Sequence, residues 1–208
     1  MSARVEIEIS GVTKQYPGVR PLRIEQLAVA GDDRLTLSGL DEAAAEVFIN
    51  LVTGASVPDS GEVRVGGRST RDIATDTEWL ASLDRFGIVT DRAVLIEKLP
   101  VAANLALPLT LAIDPLSADV RRQIEALADE VGLGRDRLDA PASSLSPAER
   151  LRAHLARALG PNPEMLLLEH PTARLADGEA TAAGTDRKST RLNSSHVSES
   201  RMPSSALK

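Results

Sequence analysis

The sequence predicts an α/β fold, on three observations. The opening R-V-E-I-E-I alternates apolar and polar residues as a half-buried strand does, and P-D-S-G-E-V-R-V-G-G reads as a turn entering a second alternating strand. Further along, D-V-R-R-Q-I-E-A-L-A-D-E-V-G-L-G places apolar residues at helical spacing and closes on Gly132, a residue type that ends helices in a left-handed conformation. The length, 208 residues with 42% hydrophobic, suits one α/β domain with a sizeable core. Four aromatics, Tyr16, Phe48, Trp79 and Phe86, make that core largely aliphatic.

In chain order, the elements bring a series of landmarks. G-V-T-K-Q-Y-P ends the opening strand, S-G-L-D-E-A-A-A-E-V-F-I-N-L-V-T-G spans 38–54, and the second alternating strand follows. Next come F-G-I-V-T-D-R-A-V-L-I-E-K-L-P-V-A-A-N-L-A-L-P-L, then S-S-L-S-P-A-E-R-L-R-A-H-L-A-R-A-L, then P-E-M-L-L-L-E-H-P-T-A-R-L with its buried-strand run Met165 to Leu168. Over residues 5 to about 177 this order and spacing resemble the ATP-binding subunit of ABC transporters, a family of P-loop NTPases. The resemblance implies an α/β ABC-type core with a mainly parallel sheet, an N-terminal antiparallel β subdomain and a helical subdomain at about 79–138. These lie in a domain covering 1–185 whose last core elements are missing. It also implies ATP and Mg2+ as ligands, a membrane permease as partner, and a second ABC subunit in a homo- or heterodimer. The implied location is cytoplasmic, peripheral at the inner face of the membrane through the permease.

Read residue by residue, the implied nucleotide site departs from the family. A working P-loop needs glycines whose backbone N–H groups wrap phosphates, a Lys for the β and γ oxygens, and a Ser or Thr hydroxyl for magnesium. Here Gly39 remains, but Ala44, Ala45 and Glu46 occupy the positions matching Gly, Lys and Ser/Thr, and Asp41 and Glu42 fall inside the loop. Three carboxylates facing a polyphosphate add repulsion of about 1 kcal/mol each even at water-like dielectric. The competing reading makes Asp41 the N-cap of a helix with acidic residues in its first turn.

The other landmarks change in the same direction. Asp91 stands where the resemblance implies a Gln that touches magnesium and the attacking water. The signature loop becomes Leu145, Ser146, Pro147, Ala148, Glu149. It keeps the serine hydroxyl that would meet a partner's γ-phosphate but loses an N–H donor to proline. Ser146 also reads as a helix N-cap, with Glu149 completing a capping box. Glu169 replaces the metal-orienting Asp and remains a candidate metal ligand, and His170 replaces the water-polarising glutamate. A neutral imidazole suits a general base near pH 7; the alternative is a side chain at a strand end, hydrogen-bonded to its surroundings. Ala176 replaces the Asp that would face a dimer partner, while Tyr16 keeps the adenine-stacking position, worth about 1 kcal/mol.

Residues 186–208 are polar, aperiodic and free of aromatics, the composition of a disordered tail. Their wording resembles the translation of a sequencing adapter, which sets them outside the native fold. The resemblance also implies an interior strand after the Met165 run; without it the fragment is expected not to be independently stable. The formal charge is −6; the tail holds five basic and two acidic residues, +3, which leaves −9 on the body. So acidic a body argues against nucleic-acid binding. There is no cysteine, and the most apolar stretch, L-A-L-P-L-T-L-A-I, is too short for a membrane span. Three functional readings follow: a degenerate cassette subunit that docks on a permease around Leu95 to Leu105, a working ATPase using Glu169 and His170, or a truncated frame without function.

Overall fold

The computed structural model describes residues 5–31, 33–90, 92–171 and 173, together with the backbone of Val197–Ser200. The chain divides into two compact units, one formed by residues up to Leu83 with the segment from Ser194, the other beginning at Asp84. No helix among the described residues is long and apolar enough to cross a membrane.

The first unit is built on an antiparallel sheet of order β2-β1-β4-β5, from β1 (Val5–Lys14), β2 (Leu22–Ala30), β4 (Ser60–Val65) and β5 (Arg68–Ser69). The alternation read in the opening strand puts Ile7 and Ile9 inward, opposite Val29 and Leu27 of β2 and Val65 and Val63 of β4. At Gly11, with φ +59°, the phase changes, so that Val12 is the next buried residue and the β1–β4 register shifts between Ser10 and Thr13. Gly61 lies against this irregularity: a Cβ there would stand 2.3 Å from the Gly11 carbonyl oxygen, so no larger residue fits. These contacts explain why the turn P-D-S-G is spelled as it is.

Asp59 fastens the same corner. Its carboxylate accepts from the Gln15 N–H at 2.6 Å and from Lys14 Nζ at 3.2 Å, and its own N–H donates to the Thr13 carbonyl. The Gln15 bond first, then Lys14, holds the Asp59 carboxyl below its usual range. A carboxyl lowered on folding stabilises the fold while ionised, and the benefit is lost as pH falls through its folded pKa. Asp59→Asn therefore lowers the melting temperature at neutral pH, and the gap from wild type closes on acidification, as a pH series of thermal melts will read.

Helix α1 (Glu42–Val52) turns Ala44, Ala45, Ile49, Leu51 and Val52 into this unit, and α2 (Asp76–Leu83) carries Trp79, whose indole N–H donates to the Thr53 carbonyl just past α1. Strand β3 (Arg34–Leu37) pairs in parallel with β8 (Val197–Ser200), Arg34 opposite Val197 through Leu37 opposite Ser200. Thus four residues of the stretch expected to lack structure form a strand on a β3 edge that offers unpaired backbone groups. The remainder of 186–208 lies outside the described residues.

In the second unit, β6 (Phe86–Val89) pairs in parallel with β7 (Met165–Leu168), the strand read from the apolar run. Around them pack α3 (Val101–Ala106), α4 (Ala118–Glu130) and α5 (Pro147–Leu159). Helix α4 is the one its periodicity predicts: Ser117 caps it through the Val120 N–H, Ile124, Leu127 and Ala128 face inward, and Gly132 follows at φ +71°. The core is aliphatic, with Leu95, Val101, Leu105, Ile124, Leu138, Leu145 and Leu159 among its buried members. The leucines of the segment around Leu95 to Leu105 read either as docking surface or as core; Leu95 and Leu105, 3% and 0% exposed, are core residues. The apolar side chains that this segment turns outward are Val94, 69% exposed, and Ile96, 48% exposed.

Candidate functional site

The loop before α1 folds as a plain helix start. Gly39 takes φ +86°, and Asp41, in extended conformation, caps the helix: its carboxylate accepts from the Ala44 N–H at 2.8 Å and its carbonyl from the Ala45 N–H at 2.9 Å. The Ala44 N–H is one of the amides that a helix N-terminus turns toward a bound anion. Here an internal carboxylate has it. Ala44 and Ala45 face the core, so no side chain at those positions reaches into the loop, and Glu46 is half-buried. Tyr16 lies in the turn after β1 with its ring on the backbone of Gly18, where an added Cβ would meet ring carbon Cε2 at 2.4 Å.

The second unit holds the remaining candidates. Ser146 is the N-cap of α5 with its capping box complete: its Oγ accepts from the Glu149 N–H at 3.3 Å and Glu149 Oε2 from the Ser146 N–H at 2.9 Å. The bond from the Ser146 backbone is the first cause holding the Glu149 carboxyl below its usual range, and Arg137 adds to it. Pro147 occupies the first helical position, where its missing N–H costs nothing.

Glu169, at the end of β7, is 7% exposed, and both of its oxygens are engaged by one side chain. Arg92 Nη1 donates to Oε1 at 3.1 Å and Nη2 to Oε2 at 2.7 Å, the bidentate geometry that suits a guanidinium to a carboxylate. Arg92 was not among the residues singled out from sequence. The available signal was the lengthening of the β7 carboxylate from Asp to Glu, together with a basic residue directly after Asp91. Asp91 itself and Ala176 lie outside the described residues.

His170 follows in a left-handed conformation, φ +42°, tolerated by histidine more readily than by most residues, and its carbonyl accepts from the Ala173 N–H. Its side chain is exposed, and no hydrogen bond ties the imidazole to another of the described residues. A cavity of about 480 Å3 in this unit brings Glu169 and His170 together with Thr90, His154, Arg150 and the start of α5 at Leu145 and Pro147. Among the described residues no group of three His, Cys, Asp or Glu is arranged to hold a metal ion.

A family profile described as ABC transporter matches residues 47–173. The chain belongs to this family. It is 36% identical over 185 residues to the methionine import ATP-binding protein MetN 2 of Burkholderia mallei, covering 86% of this chain and 45% of that protein. The corresponding protein of Paraburkholderia xenovorans is also 36% identical, over 76% of this chain and 40% of its own length. The chain thus spans less than half the length of these relatives. Among solved structures, the ATP-binding cassette MJ0796, a dimer bound to ADP and Pi, superposes with a TM-score of 0.70 at 21% identity, covering 96% of this chain and 89% of that one. The fold is the ABC cassette fold: a mixed α/β architecture with an antiparallel N-terminal sheet and parallel strand pairing.

Proposed function

We propose that this chain is an ABC transporter ATP-binding subunit that has given up Mg2+–ATP chemistry and acts as a docking partner for a membrane permease. The observation that carries the reading is Asp41. Its carboxylate takes the Ala44 amide at the start of α1 for itself, in a loop with no lysine and with Glu42 and Glu46 beside it. A polyphosphate would have to displace a formed cap and lie among carboxylates. The residues present do not fit Mg2+–ATP, since Glu169 is also occupied, by Arg92.

The docking half of the proposal is supported by the segment after β6. Arg157 of α5 donates to the Ala93 and Val94 carbonyls, the latter at 2.9 Å, and the fully buried Asn104 bonds both the N–H and the carbonyl of Ile96, at 2.7 and 3.1 Å. These bonds hold a rigid platform that displays Val94 and Ile96 to a partner. Two similar relatives are named methionine import ATP-binding proteins, which supports an importer permease as the proposed partner and the inner face of the membrane as the proposed location. A second ABC subunit, identical or active, would complete such a complex.

The test is equilibrium titration of the chain with ATP and Mg2+, by calorimetry and by phosphate release. Millimolar or weaker affinity and no turnover above background are expected. Micromolar binding that disappears in Tyr16→Ala would restore the adenine contact and overturn the reading.

A further inference from the structure

We propose that the guanidinium of Arg92 is a built-in substitute for the divalent cation at the Glu169 carboxylate, so that the chain carries its own positive charge where a metal ion would otherwise sit. The pair satisfies what a bound cation requires. Each carboxylate oxygen accepts one N–H, the acceptor is nearly enclosed, and the donor is a guanidinium cation.

Its position is prearranged. The Arg92 N–H donates to Thr90 Oγ1 at 3.0 Å, and the Arg157 bonds to the two residues that follow fix the chain on the other side. The extra methylene of Glu169 carries its carboxylate farther from the backbone than an aspartate would. A metal entering here must break a bidentate ion pair and offer its own coordination from a single carboxylate, with no three-ligand group among the described residues to assist. The proposal stands on the surroundings of Glu169 alone, independent of the permease reading and of the α1 loop.

Its test titrates Mn2+ onto the full chain, with free Mn2+ read by electron paramagnetic resonance. Wild type and Glu169→Gln are expected to take up Mn2+ indistinguishably. Arg92→Gln unmasks the carboxylate and gains about tenfold or more in Mn2+ affinity, the scale on which neighbouring groups tune metal sites. The gain disappears in the double variant with Glu169→Gln, while Arg92→Lys, which keeps a cation in place, behaves as wild type. Arg92→Met is prepared alongside Arg92→Gln so that failure of one to fold does not end the test. Glu169-dependent Mn2+ uptake by the wild type overturns the proposal, whatever the variants do. So does a folded Arg92→Gln or Arg92→Met chain with no gain.

Discussion

Leu105→Ala lowers the stability of the second unit by about 3–4 kcal/mol, the loss expected when a fully enclosed leucine leaves a cavity that its neighbours only partly fill. Leu105 is surrounded by the aliphatic core of α3, α4 and α5, whose close packing leaves little slack for collapse. Val94→Ala, eleven residues earlier in the same apolar stretch, stays within about 0.5 kcal/mol of wild type, because its side chain is mostly in water already. Urea unfolding followed by circular dichroism compares them directly. The contrast also separates scaffold from interface. Val94→Asp with Ile96→Asp is expected to unfold like wild type yet lose co-purification with the permease that the docking proposal requires. If Leu105→Ala were benign and Val94→Ala costly, core and platform would have to be exchanged and the docking proposal withdrawn.

That inversion shows where sequence reading ran out. The stretch Val94 to Leu105 is mostly apolar, broken by Glu97, Lys98 and Asn104, and whether a given leucine faces core or solvent depends on Asn104 within the stretch and on two anchors from distant parts of the chain, Arg157 and Glu169. Periodicity cannot reveal bonds made from 63 residues away in sequence. Features encoded locally were legible. Helix α4 has its cap, its apolar stripe and its closing glycine within one window, and the capping functions of Asp41 and Ser146 follow from residues three positions apart. The parallel strand at Met165–Leu168 was equally plain as an apolar run, though the burial expected of it was not met: its first three residues are half-buried and Leu168 is exposed. The Arg92–Glu169 pair was not, because its partners are 77 positions apart and each, taken alone, looks like a surface charge.

That pair sets the second large effect. Arg92→Gln leaves the Glu169 carboxylate with 4% side-chain exposure and without the guanidinium that engages both oxygens, and stability falls by about 2 kcal/mol. Removing one member of a fully buried ion pair costs about 3–5 kcal/mol; the smaller figure applies because the Arg92 side chain is 43% exposed, so solvent already screens part of the attraction. Adding Glu169→Gln to Arg92→Gln recovers much of the loss, since two neutral amides leave no charge to solvate. The recovery, read as a double-mutant cycle in urea, measures the coupling of the pair itself. High salt changes the wild-type value little, because counterions have poor access to the enclosed carboxylate. A cycle with no coupling would make the ion pair a surface ornament, and Glu169 would again be open to a metal. Strong coupling means that the end of β7 and the segment bearing Val94 and Ile96 are joined by a permanent charge, a connection that needs no nucleotide to form.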